Sequence, residues 1–360
     1  MKTARKSILV MGLVMTAMLM IANPLLAEDK KAPMKLVSVK ADTAITLDAM
    51  AEKAWDKATA LEVKLDQLPY EPNNGYNGIR ETTVKIKSLY DDKYVYFYLQ
   101  YADPTQSLER FPWIKQADGS WKQSIKKDST GHDNTYYEDK LGMYWEINKV
   151  KGFKKKGCAV SCHLTEEGLN NGIADTSAGR KYTNKPGETI DMWHWKSVRT
   201  GPLGMFDDQF VDDNTDPKAN KNWGRHGDVK TGGGYKNNFN ADKTGPAFMN
   251  SPYSEKDKYW VLPELKAKFV DTFKAGDVVP GIVITPFTGH RGDIKVQSAW
   301  KDGQWTLEVK RALATTGDKA EIQDVQFSDM AKTYYFGISV FDNSQINHVY
   351  HEGSIGMTFK

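Results

Sequence analysis

Asp293-Ile-Lys-Val-Gln-Ser-Ala-Trp300, then Asp302-Gly303, then Gln304-Trp-Thr-Leu-Glu-Val-Lys310, is the stretch that decides the fold class. Both runs alternate apolar and polar residues, the period of a strand with one buried face. The Asp-Gly pair between them is the strongest short-range hairpin signal. Outward from this hairpin the pattern recurs. Thr83-Val-Lys-Ile-Lys-Ser88 and Tyr94-Val-Tyr-Phe-Tyr-Leu99 flank Asp91-Asp-Lys93, and Gly281–Ile284, Tyr334–Phe341 and Gly353–Phe359 add further strands. Ile45-Thr-Leu-Asp48 reads as a lead-in strand, and the turn Ala51–Trp55 plugs Trp55 into the core. The expected fold is all-β: a single antiparallel β-sandwich over residues 28–360. A long irregular insertion with short helices, about 104–262, is expected to contain one strand, Asp139–Ile147.

The chain begins with Lys2, Arg5 and Lys6, an apolar run from Ile8 to Ala22, then Asn23, Pro24 and Ala27, the pattern of a signal peptide over residues 1–27 that directs export to the periplasm. The apolar run falls short of the roughly 20 residues of a spanning helix, so no membrane span is expected after its removal. Those three cations are the only charges in the segment, and without them the net charge of +3 falls to zero. No nucleic-acid footprint remains.

Two cysteines in an exported chain suggest a disulfide. Here they stand in Gly157-Cys-Ala-Val-Ser-Cys-His163, and a cysteine pair followed at once by histidine is the attachment signature of c-type haem. Cys158 and Cys162 would hold the porphyrin through its vinyl groups and His163 would face the iron. A local disulfide is the competing reading, although an i,i+4 pair only just meets its Cα window. One motif means one covalent haem c and one electron at a time. The sixth ligand is open among His132, His194, His226, His290, His348, His351 and the methionines. His348 and His351 lead because they follow the strand ending Val340-Phe-Asp-Asn343. His194 comes next: Trp193 and Trp195 beside it suit a haem wall, and Lys196 or Arg199 is placed to reach a propionate. The competing reading of that segment is a packed aromatic cluster. Lys154-Lys-Lys156 marks either a docking rim or a solvated charge run. Asp207–Asp216 resembles part of a calcium loop, but no glycine follows Asp216 and Trp223 stands where a closing glutamate is needed.

In these motifs the chain resembles the haem-binding subunits of ethylbenzene dehydrogenase and related periplasmic molybdenum enzymes, in a covalent-haem branch. The resemblance rests on Ile45–Asp48 with Trp55, Tyr101-Ala-Asp103, Glu138-Asp-Lys-Leu141, Asp191-Met-Trp-His-Trp-Lys196, Asp207-Asp-Gln-Phe-Val211 and Val340–Asn343, across roughly residues 36–360. It implies a β-sandwich that grips haem and relays electrons between molybdenum and iron–sulfur subunits and an acceptor that is soluble or a membrane quinol-linked cytochrome. The best-known members hold haem b between a methionine and a lysine. By the resemblance His163 takes the methionine's place and His351 falls near the lysine's, which favours His351 as the sixth ligand and an iron held by His163 and His351. The expected function is that of a periplasmic electron-transfer cytochrome rather than a catalyst. A peroxidase-like enzyme and a haem-based ligand-binding or sensor module are the alternatives.

Overall fold

A computed structural model describes residues 34–69, 76–128, 131–163, 180–254 and 258–360, together with the short strands 169–170 and 173–174. The signal segment 1–27 lies outside the described residues. Thirteen strands form the main sheet. They are β1 (Met34–Lys40), β2 (Leu61–Leu65), β3 (Thr82–Tyr90), β4 (Tyr94–Ala102), β5 (Lys140–Glu146), β6 (Ile190–Lys196) and β7 (Asp207–Val211). After these come β8 (Arg225–Gly227), β9 (Lys295–Lys301), β10 (Gln304–Ala312), β11 (Tyr334–Phe341), β12 (Val349–Tyr350) and β13 (Ile355–Phe359). Their order is β8-β7-β6-β5-β11-β13-β1-β3-β4-β10-β9, with β2 beside β3 and β12 beside β11. Every pairing in this sheet is antiparallel except those of β1, which runs parallel to both β13 and β3.

The sheet curls so that its two halves face each other as a sandwich. Phe97 of β4 meets Trp145 of β5 and Trp193 of β6 at centroid distances of 5.7 and 5.9 Å, and Trp195 of β6 meets Trp305 of β10 at 4.8 Å. These tilted and edge-on rings are the favoured aromatic geometries, and they bind the halves through one apolar layer. The deciding hairpin is β9–β10. Asp302 and Gly303 take φ of 52° and 76°, the left-handed pair of a type I′ turn, and Trp300 faces Trp305 across it. Trp55 is buried as expected, its indole Nε1 donating to Glu308 at 2.7 Å. Ile45–Asp48 forms no strand; the amides of Asp48 and Ala49 instead donate to the same Glu308 carboxylate.

Residues 104–262 contribute more strands than their irregular pattern predicts. Besides β5 they supply β6, β7 and β8, one whole edge of the sheet. β5, β6 and β7 are covered on both faces, so the apolar–polar alternation that announces a one-sided strand is absent. Among the described residues no helix is long and apolar enough to cross a membrane.

Candidate functional site

Alternation along β6 separates two chemistries. Asp191, Trp193 and Trp195 point into the sandwich, whereas Met192 and His194 point to the outer face. Register carries this across the neighbours: Met192 lies opposite Tyr144 and His194 opposite Gly142 on β5, and Gly142 lies opposite Ser339 on β11. Tyr144, Met192, His194 and Ser339, with Lys140, Phe341 and Tyr350, floor a cleft of about 200 Å³.

The 3-10 turn Gly157–Ser161 forms the opposite wall, presenting Cys158, Cys162 and His163. It packs on β11 through Gly337: a Cβ there would stand 2.5 Å from the Cys158 backbone nitrogen, so only glycine permits the approach. The two cysteines are free thiols. Cys158 is buried, and burial pushes its thiol up to about 12. Segment 180–182 runs antiparallel to 161–163, with the His163 amide donating to the Arg180 carbonyl at 2.9 Å and the Tyr182 amide to the Ser161 carbonyl at 3.1 Å. That pairing sets the half-buried Lys181 ammonium 2.9 Å from the Cys162 sulfur.

Three imidazoles border the cleft. His163 stacks on Tyr182 at 3.7 Å, and its Nε2–H donates to the Tyr182 carbonyl at 2.9 Å, leaving the lone pair on Nδ1. Nδ1–H of His348 donates to the Ile346 carbonyl at 2.8 Å, leaving the lone pair on Nε2. A carbonyl acceptor on one ring nitrogen is how proteins orient a metal-binding imidazole. Both ring nitrogens of His194 are buried and have no hydrogen-bond partner among the described residues. Burial, then the charge of Lys196, holds His194 well below the usual imidazole range, and burial brings His348 down to about 3. All three present as neutral ligands or donors.

The charges lining the cleft are of one sign. Lys140, Arg180, Lys181 and Arg225 face it, and among the described residues no carboxylate does. Burial, then the charge of Arg199, pushes the Lys140 ammonium well below its ordinary range. Three half-buried cations around the buried Lys140 make a wall that favours an anionic ligand.

The structure therefore brings together Cys158, Cys162, His163, His194 and His348. His351 is not among the lining side chains: its ring donates from Nδ1 to the Lys64 carbonyl at 3.1 Å. Lys196 pairs with Asp207, and Arg199 with Glu138, away from the cleft. Trp193 and Trp195 belong to the core and form no cleft wall, because their odd-numbered positions face inward. The Asp207–Asp216 loop does not assemble as one site. Asp207 turns to Lys196 and Arg291, Asp212 to His226, and Asp208 to the sandwich interior. Lys140, Arg180, Lys181 and Arg225 escaped sequence reading because four separated cations carry no spacing signal. Met192 and His194 stood among the candidate ligands, but no apolar–polar alternation marked residues 190–196 as a strand.

A β-sandwich with a cationic thiol–imidazole cleft against one outer sheet face is thus the class of protein that the fold and site define. The family described as ethylbenzene dehydrogenase matches over residues 52–353, and the chain belongs to that family. No curated protein matches it. Among solved structures it is similar to a family 9 carbohydrate-binding module from Caldicellulosiruptor kristjanssonii in complex with cellotriose, at 9% identity and a TM-score of 0.32 over 91% of this chain and 94% of that one. The same module with glucose gives 8% identity and a TM-score of 0.32 over 90% and 96%. The assignment stands on the family match.

Proposed function

We propose that this chain is a periplasmic monohaem cytochrome that carries one haem c in the cleft and passes single electrons. We assign it as the haem subunit or partner of a molybdenum-containing oxidoreductase. The observation that carries the reading is the convergence of two free thiols, three neutral imidazoles and four cations, without a carboxylate, on one sheet face. Family membership supports the oxidoreductase partner, and the cationic, then apolar, N-terminus supports export.

The residues fit the group. Cys158 and Cys162 supply the two attachment sulfurs, and His163 the adjacent imidazole. His348 takes the sixth position in this reading, in place of His351, because its Nε2 lone pair faces the cleft and its Nδ1–H is anchored. Lys140, Arg180, Lys181 and Arg225 offset the charge of two propionates. Met192, Phe341, Ile346 and Tyr350 exclude water from the ring faces. Bound there, haem supplies reversible one-electron oxidation and reduction. Two imidazole ligands favour the ferric state relative to a thioether, which places the potential below that of a His/Met cytochrome.

The test is production of the full chain in a host that matures c-type cytochromes. Expected is a haem-stained band on a denaturing gel, a mass raised by one haem and a low-spin spectrum. A colourless protein with the bare polypeptide mass and two titratable thiols refutes the reading. Peroxide turnover with a high-spin spectrum would move it to the peroxidase class.

A further inference from the structure

A second site lies on the opposite face of β6 and β7. Asp191, Asp208 and Asp324 are fully buried, and each offers a carboxylate oxygen within 4.8 Å of those of the other two. Asp191 and Asp208 are hydrogen-bonded through one oxygen only, and so is Asp324, whose second oxygen faces Arg311. Oδ2 of Asp191 accepts from Trp193 Nε1 at 2.8 Å and from the Val325 amide at 2.9 Å. Oδ1 of Asp208 accepts from the Gln209 amide at 3.0 Å, and Oδ2 of Asp324 from the Thr315 hydroxyl at 2.8 Å. The other oxygen of each, Asp191 Oδ1, Asp208 Oδ2 and Asp324 Oδ1, accepts no hydrogen bond among the described residues. Donors that fix one oxygen and leave its twin bare are how proteins prepare monodentate carboxylate ligands.

A fourth side chain points to the same ligand independently. Asp228 is 3% exposed, neither of its oxygens has a hydrogen-bond partner among the described residues, and Asp191 and Asp324 act on it most strongly of all charges. Asp293 adds a fifth carboxylate to the group. Against these stand Arg311, whose Nη2 is 3.2 Å from Asp324 Oδ1, and His290, 3.6 Å from Asp324 Oδ2. Arg311 Nη2 also lies 3.8 Å from Asp191 Oδ2, yet one guanidinium against four buried carboxylates leaves negative charge in excess, and a bound cation relieves that excess.

We propose that Asp191, Asp208, Asp228 and Asp324 bind one calcium ion on the core side of β6 and β7. Hard carboxylate oxygens select an oxygen-loving dication, and bonds of 2.3–2.6 Å allow two calcium ligands to lie up to about 5 Å apart, a spread that covers Asp191, Asp208 and Asp324; Asp228 adjoins them, its amide donating to the Asp208 carbonyl at 3.2 Å. The other buried trio, Asp103, Asp139 and Asp342, is not prepared in this way. Both oxygens of Asp139 and of Asp342 already accept hydrogen bonds, from Asn343, Ser107 and Trp305 and from Thr105 and Ile79.

The experiment is calorimetric titration of the metal-depleted full chain with CaCl2, paired with thermal melting in 1 mM CaCl2 or in EDTA. Expected are one ion per chain and a higher melting temperature with calcium, since a ligand of the folded state alone stabilises by mass action. Asp208→Asn should lose at least tenfold in affinity while Asp103→Asn keeps it. Absence of binding together with identical melting curves overturns the site. So does calcium binding of undiminished affinity in both Asp208→Asn and Asp228→Asn, which places the ion elsewhere. If Asp208→Asn fails to fold, Asp228→Asn carries the comparison, and the wild-type titration still decides occupancy. Neither readout depends on haem.

Discussion

His194 and His348 sit on either side of Phe341, whose ring centroid is 5.8 Å from the first and 4.4 Å from the second. Both are kept neutral by burial, yet they differ in preparation. The anchored Nδ1–H of His348 fixes which nitrogen bears the lone pair, whereas nothing among the described residues fixes the tautomer of His194. An imidazole ligand gains from that anchoring because its orientation is settled before the metal arrives. His348→Ala is therefore expected to convert the low-spin spectrum to a high-spin one that binds carbon monoxide on reduction. His194→Ala should leave the iron six-coordinate. The visible spectra of the two variants decide the matter, and the reverse result would transfer the sixth position to His194.

At the scale of elements, the Cys158–Cys162 turn is held to the sheet by a close approach rather than by a large apolar contact. The missing Cβ of Gly337 sets that distance, and the atom it would meet, Cys158 N, is backbone and cannot rotate away. Gly337→Ala should force the turn off β11, destabilise the fold by about 1–3 kcal/mol in urea unfolding and lower the fraction of chain carrying haem. Unchanged stability and full attachment would mean that the turn is free to shift. The sequence disclosed such elements unevenly. The hairpins β3–β4 and β9–β10 were legible because one face of each is buried and their turns carry Asp, Asp-Lys or Asp-Gly. β6 and β7 were not: a second layer covers their outer faces, so Asp191-Met-Trp-His-Trp-Lys196 reads as an aromatic cluster until the register is known. The attachment motif was legible because its chemistry is local. The cationic wall and the four-carboxylate cluster were not, because Lys140 and Arg225, or Asp191 and Asp324, become neighbours only through sheet order.

Over the whole molecule the charges nearly cancel, but folding sorts them, cations toward the cleft and carboxylates into two buried groups inside the sandwich. The group at Asp103, Asp139 and Asp342 makes a stability profile with a definite sign. Burial, followed by the charges of Asp139 and Asp342, pushes Asp103 up to about 9, and burial brings Asp139 up to about 7. Both exceed the ordinary carboxyl value near 3.9. Between those limits the folded chain therefore binds protons that the unfolded chain has released. Linkage then requires stability to fall as pH rises from about 4 through about 9, by at most about 1.4 kcal/mol per pH unit for each proton. Asn at position 103 keeps the acceptor oxygen that the Thr105 amide uses at 3.1 Å but has no proton to lose. In EDTA, so that no cation intervenes, the urea midpoint of the wild type should decline between pH 5 and pH 9. Asp103→Asn should decline less steeply and gain on the wild type most at pH 9. Parallel profiles for the two proteins would show that Asp103 is already ionised in the folded state, with its charge compensated from elsewhere.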